Sequence, residues 1–226
     1  MDKLFKTELH THSKPASSCS DIVPEKIVEI YKEHGYDSIV LANHFTVGMQ
    51  GDTAEEKIKW YLQDYYNCLK AGEEAGLNVI LGAEIRFTEN HNDYLVFGIC
   101  PEDLMDIYKL LPYGIDNFYK EYKNEKNIII QAHPFRDGME SVNPASLDGV
   151  EVFNMRPHHN SRNGLAVKFA EENKLIATCG NDFHHFGHEC LCGIYTKEPV
   201  RDSFELSKIL KNKEYTMFVG KHQISL

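Results

Sequence analysis

Short apolar runs alternate with amphipathic stretches along almost the whole chain. Strand-like runs fall near 4–10, 38–42, 78–84, 94–99, 128–132, 149–153 and 175–180. Between them, apolar residues recur at i, i+3, i+4 spacing. The segment from Pro24 begins with proline at an early helical position and stops at Gly35, and residues 54–75 form a longer helix stopped by Gly76. Further helices are predicted over 101–111, 115–124, 161–173 and 202–211. This alternation predicts an α/β fold of β/α units around a parallel sheet. About seven strands are expected, one short of a (β/α)₈ barrel.

The apolar runs share a second property, which is that most of them stop at a side chain able to bind a metal. Glu8-Leu9-His10-Thr11-His12 places two imidazoles two residues apart, and in an extended segment such residues share a face. The run ending at Gly180 continues into Asn181-Asp182-Phe183-His184, which offers a carboxylate and an imidazole by the same rule. His44 follows 38–42, Glu84 follows Val79-Ile80-Leu81, and His133 follows Ile128-Ile129-Ile130. A parallel barrel gathers the C-terminal ends of its strands at one rim, so these distant positions are expected to form one site.

Composition narrows the picture further. The 226 residues show no Pro/Gly/Ser-rich linker, low-complexity stretch or repeat, so one domain over 1–226 is expected. No basic-then-apolar leader and no long apolar run appears, which predicts a cytoplasmic protein with no membrane partner. A formal net charge of −10 argues against nucleic acid as a partner, whereas a small phosphorylated metabolite remains compatible. The six cysteines are scattered and read as mostly reduced core residues. Cys190-Leu191-Cys192 is the one thiol pair with a zinc-like look, and Cys19 lies close enough to the histidine pair to line the site.

The ordered series His10-Thr11-His12, the Pro24-Glu25 helix start, Gly35 to His44, Gly82-Ala83-Glu84, Ala132-His133-Pro134, Gly149 to Asn154 and Gly180 to His184 resembles the polymerase-and-histidinol-phosphatase (PHP) family of metal-dependent phosphoesterases. The resemblance spans nearly the whole chain. It implies a distorted, TIM-like (β/α)₇ barrel with a cluster of two to three divalent ions. By that resemblance His10, His12, Glu84 and Asp182 would hold one ion, His44 and His184 a second, and His133 a third with Glu84 bridging. The sequence departs from the family at three points. Ser17 stands where an aspartate is usual, so the second ion would be held more weakly or would borrow Asp21 or water; Asp93 replaces a histidine as ligand; and Asn43 replaces an aspartate beside His44, which it would retune.

A mixed imidazole and carboxylate shell suits zinc, manganese or iron. The function implied is hydrolysis of a small phosphomonoester by metal-activated water, as a histidinol phosphatase does, with no covalent protein nucleophile. Two other readings compete: a nuclease acting on single strands, and a non-catalytic metal-binding domain. Arg136, three residues past His133, is the first candidate for binding substrate phosphate, ahead of Arg86, Arg156 and Arg162. His185 and His159 are candidates for the general acid, while Glu151 and Asn154 are expected to orient the ligands.

Overall fold

The computed structural model describes residues 3–225. In chain order its main elements are β1 (Phe5–Thr11), α1 (Pro24–Glu33), β2 (Ser38–Leu41), β3 (His44–Phe45), α2 (Ala54–Ala75), β4 (Asn78–Leu81), β5 (Ala83–Arg86) and β6 (Asp93–Phe97). There follow α3 (Leu104–Leu110), α4 (Gly114–Tyr122), β7 (Ile128–Gln131), β8 (Gly149–Asn154), α5 (Asn163–Asn173), β9 (Ile176–Gly180), β10 (Cys192–Thr196), α6 (Ser203–Asn212), β11 (Thr216–Val219) and β12 (His222–Ile224). The strands pair as two six-stranded sheets, in the orders β12-β11-β10-β1-β2-β4 and β3-β5-β6-β7-β8-β9.

These sheets are two parts of one ring. β2 runs on into β3 after a break at Ala42-Asn43, and β4 into β5 after a break at Gly82. At the breaks the Tyr61 hydroxyl from α2 lies 3.2 Å from the Asn43 oxygen, which also accepts from the Glu84 amide, and 3.1 Å from the Gly82 oxygen, so these buried acceptors keep a donor. On the other side of the ring, the His12 amide donates to the Phe183 carbonyl at 3.0 Å and the Phe183 amide to His10 at 3.1 Å, joining the end of β9 to β1. Counted this way the ring has seven staves: β1, β2/β3, β4/β5, β6, β7, β8 and β9. The fold is therefore α/β of the distorted seven-stranded kind.

One stave departs from the parallel pattern. β6 is antiparallel to both β5 and β7 and joins β5 without a helix. Its N-terminal end therefore meets the C-terminal ends of its neighbours, and Asp93 reaches the ligand-bearing rim although it begins a strand. The antiparallel pair β10 and β11, joined through α6 and extended by β12, continues the sheet beyond β1 and was not among the predicted strands.

Helix formation follows local chemistry. In α2 the Thr53 hydroxyl accepts from the Glu56 amide, the Glu56 carboxylate accepts from the Thr53 and Asp52 amides, and Gly76 ends the helix in the left-handed region at φ 70°. The buried stripe of α2 is Ile58, Tyr61, Leu62, Asp64 and Cys68, an apolar row interrupted by one carboxylate. Trp60 and Tyr65 pack against the core, as expected of a helix face laid on a barrel. Among the described residues no helix is long and apolar enough to cross a membrane.

Candidate metal centre

Glu84 occupies the middle of the rim. One of its oxygens lies 3.2 Å from His10 Nε2 and 3.0 Å from His133 Nε2, and the other lies 3.4 Å from His12 Nε2 and 2.7 Å from His44 Nδ1. Asp182 Oδ1 is 3.8 Å from His10 Nε2, 3.6 Å from His12 Nε2 and 3.1 Å from His184 Nδ1. The seven residues expected from the strand ends thus converge. Except for His44, whose side chain is 24% exposed, all are buried.

The backbone is bent to achieve this. His133 and Asp182 both lie at positive φ, 30° and 51°, a conformation that costs energy for side chains of this kind. Gly180 is required just before that turn, because a methyl group there would collide with the Glu151 carboxylate and the His10 side chain.

The hydrogen bonds behind the rim fix the imidazole tautomers. His10 Nδ1 is 2.9 Å from Glu151 Oε1, and the other Glu151 oxygen accepts from the His133 amide and from Asn154 Nδ2. Nδ1 of His10 therefore carries the hydrogen and Nε2 presents its lone pair to the rim. For His12 the chain is longer. The Ser13 hydroxyl donates to Asp64 at 2.8 Å and accepts from Asn43 Nδ2; Asn43 Oδ1 accepts from the Ser17 hydroxyl at 2.9 Å; and Ser17 Oγ, its own hydrogen committed, accepts from His12 Nδ1 at 3.0 Å. His12 Nε2 is left free. His184 Nδ1 donates to the Asp182 carbonyl at 2.8 Å, again leaving Nε2 for the rim.

Whether these residues suit a metal can be judged from their own atoms. His10 Nε2, His12 Nε2, Glu84 Oε2 and His133 Nδ1 are buried without a hydrogen-bond partner. Leaving such atoms unpaired is costly, and three of the four point into the Glu84 cluster, so the set fits a cation. Three overlapping groups have ligand atoms mutually within 4.8 Å: His10, His12 and Asp182; His12, His44 and His184; and His44, Glu84 and Asp93. Without a metal, protons carry the balancing charge. Burial opposes charging His10 and His44, but carboxylates prevail: Glu151, Glu84 and Asp182 hold His10 well above the usual histidine range, and Glu84 pushes His44 up to about 10. Burial would likewise raise Glu84, yet His44 and His10 hold it well below the carboxylate range.

Several expectations change at this level. Asn43 acts on His12 through Ser17 rather than retuning His44 through its own side chain. Asp21 does not reach the cluster, because its carboxylate accepts from His185 Nδ1 at 2.8 Å. Asp93 reaches it with both oxygens already bonded, to Arg86 Nε at 2.7 Å and Nη2 at 2.6 Å, so the Arg86 guanidinium is engaged by a carboxylate. Arg136 bonds neither Asp137 nor Glu140; its Nη2 donates to Asp182 at 2.5 Å and to Asn154 at 2.9 Å. Arg162 pairs with Asp137 on the outside. Arg156, a weaker candidate in the sequence, lies 3.5 Å from Asp182 and 3.4 Å from His184 Nε2. Asp64 was missed entirely, and its only sequence signal is a carboxylate inside the apolar stripe of α2.

Replacing Ser17 by Ala removes the acceptor that orients His12 and leaves the His44 amide, now 3.0 Å from Ser17 Oγ, without a partner. Metal affinity is expected to fall about 10- to 100-fold, the usual scale for partners behind ligands. Calorimetric metal titration checks this, and unchanged affinity would show that the hydroxyl does not govern His12.

Comparison with known proteins agrees with this fold. The family model for the PHP domain matches residues 8–215. Solved structures share the fold at low identity. A two-domain protein from Bacteroides vulgatus, described as containing a "predicted PHP-like metal-dependent phosphoesterase", aligns with TM-score 0.71 and 16% identity over 99% of this chain and 67% of its own. PsfC from Pseudomonas syringae aligns at 0.64 and 18% over 92% and 88%, and an amidohydrolase from Chromobacterium violaceum at 0.53 and 14% over 94% and 97%. No curated protein matches the sequence.

Proposed function

Because this chain belongs to the PHP domain family, we propose that it is a metal-dependent phosphoesterase that releases phosphate from a small phosphomonoester, a histidinol-phosphatase-like reaction. The observation that carries the reading is the set of buried, unpartnered ligand atoms around Glu84. His10, His12, Glu84 and Asp182 would hold one ion, His44 and His184 a second, and His133 with Glu84 a third. Zinc, manganese and iron all suit these donors. Such ions, when bound, would lower the pKa of a coordinated water towards roughly 7 and neutralise charge on phosphate oxygens.

The chain's own residues supply the rest. Arg136 and Arg156 flank Asp182 with side chains only 12% and 13% exposed, giving a half-buried cationic wall suited to a phosphate dianion. The phosphomonoester reading rests on that compactness and on the net charge of −10, which disfavours a long polyanion. For the leaving alcohol, His185 is the better general acid. Its Nδ1 is held by Asp21, so Nε2 is the nitrogen available for proton transfer. Burial together with the Arg136 and Arg156 cations keeps His159 below the usual histidine range, which favours its neutral form.

The discriminating experiment compares phosphate release from a panel of metabolite monophosphates with trimming of labelled single-stranded DNA and RNA, using the same added metals. Phosphate release abolished by His10→Ala supports the proposal. Dominant oligonucleotide cleavage, abolished by the same substitution, would replace it with the nuclease reading.

Arg136→Ala is expected to lower kcat/KM by about 30-fold, or ~2 kcal/mol, on the scale of charge-assisted contacts. Metal affinity should not fall, because the guanidinium competes with a cation for Asp182. Loss of metal with the arginine would assign it a structural role instead.

A further inference from the structure

The His12, His44 and His184 end of the cluster lacks an anionic ligand of its own. Glu84 Oε2 lies 2.7 Å from His44 Nδ1 and 3.4 Å from His12 Nε2, and Asp182 Oδ1 lies 3.1 Å from His184 Nδ1, so both carboxylates are shared with the His10 side of the cluster. Ser17, at the position expected to be acidic, is turned away, its oxygen held among His12 Nδ1, Asn43 Oδ1 and the His44 amide. Asp21 is taken by His185. One side chain does face the gap: Cys19 Sγ lies 3.1 Å from His184 Nε2.

A second observation points to a ligand at the same place. His12 Nε2 is wholly buried and unpartnered, and its ligand atom lies within 4.8 Å of those of His44 and His184. We infer that Cys19 is the anionic ligand of this metal position, which makes it a three-histidine, one-thiolate site and assigns the His12 Nε2 lone pair to this ion in place of the one held with His10. The inference rests on the metal-dependent reading above.

Geometry and charge both support it. Around a tetrahedral ion with metal–sulfur near 2.3 Å and metal–nitrogen near 2.05 Å, neighbouring sulfur and nitrogen ligands lie about 3.6 Å apart. The observed 3.1 Å needs to open by only about half an ångström from a thiol-to-imidazole hydrogen bond. Three neutral imidazoles carry no charge, so a thiolate offsets half that of a divalent ion. Its proton passes to solvent on binding, which is feasible because Cys19 is exposed at the rim. The loop carrying it is well anchored. The Ala16 amide donates to Asp64, the Ser20 hydroxyl lies 3.0 and 3.2 Å from the carbonyl oxygens of His12 and His184, and the Asp21 amide donates to His184. A soft sulfur in place of a carboxylate selects thiophilic ions at this position, zinc, cobalt or ferrous iron over manganese or magnesium.

The test is a cobalt titration of chelator-treated protein, in the wild type and in Cys19→Ser. The wild type is expected to develop visible ligand-field bands together with a near-ultraviolet thiolate-to-cobalt charge-transfer band. Cys19→Ser should keep the visible bands, lose the charge-transfer band, and reduce the zinc-over-manganese preference of one site at least tenfold. In the wild type alone, saturating zinc should slow alkylation of Cys19 by iodoacetamide at least tenfold, followed by peptide mass spectrometry. Visible bands with no charge-transfer band, a band that survives in Cys19→Ser, or unprotected alkylation would overturn the role of Cys19 and leave the metal-dependent reading standing. Failure of both proteins to bind cobalt or zinc would remove that reading, and this inference with it.

Discussion

Glu84→Gln is expected to reduce phosphomonoester turnover by about a thousandfold or more, some 4 kcal/mol of transition-state stabilisation. Glu84 touches four imidazoles through its two oxygens: His10 and His133 on one, His12 and His44 on the other. Glutamine has nearly the same shape, so packing is preserved, but it is neutral and its amide nitrogen cannot bind a cation. The shared ligand and the central negative charge are lost in one change. Metal content per chain should drop with the rate, measured by elemental analysis of the same preparation. A variant with full metal content and full turnover would remove Glu84 from the centre of the chemistry.

The convergence of these candidate ligands was legible in the sequence because it follows from local rules. Alternation in an extended strand pairs His10 with His12, and apolar runs ending at His44, Glu84 and His133 belong on the rim of any ring of parallel strands. Helix ends were legible for the same reason, since Pro24 and Gly76 act on their own segments. What could not be read is longer in range. The breaks that split β2 from β3 and β4 from β5 lie where Tyr61, from another element, approaches two carbonyls. The antiparallel direction of β6 depends on the absence of a helix after β5, and the short β10 to β12 strands lie in a more polar part of the chain.

Behind the ligands, sequence distance hides the chemistry. Asp64, Ser13, Asn43 and Ser17 form one hydrogen-bonded line to His12 across sequence separations of up to 51 residues. Nothing in a serine or an asparagine read singly marks it as part of such a line. The departure at Ser17 illustrates the limit. The sequence showed that an acid was missing and suggested Asp21, whereas the fold turns Asp21 to His185 and brings the thiol of Cys19 to His184. Which of three nearby side chains faces inward is decided by the loop's anchors on Asp64 and on the His184 carbonyl, both far away in the chain.

Glu8 provides the second large effect, on stability. It lies wholly buried below His10 on β1, with Oε1 accepting from the Leu9, His10 and Asn181 amides at 3.1, 3.0 and 2.8 Å and Oε2 without a partner. Burial pushes its carboxyl up to about 8, although the amides of Asn181 and His10 pull the other way. The folded value therefore exceeds the unfolded one, and between roughly pH 4.5 and 8 the folded chain holds a proton that the unfolded chain releases. Folding stability of the metal-free protein should fall as pH rises through that window and level off above it. Glu8→Gln mimics the neutral acid, keeping the acceptor at Oε1 and removing the titration. The variant should match the wild type near pH 5 and exceed it at pH 9 by on the order of 3–5 kcal/mol. Denaturant unfolding in the presence of chelator at the two pH values measures the difference. Parallel stability profiles for the two proteins would mean that Glu8 keeps its charge in the folded chain, held by the three amides alone.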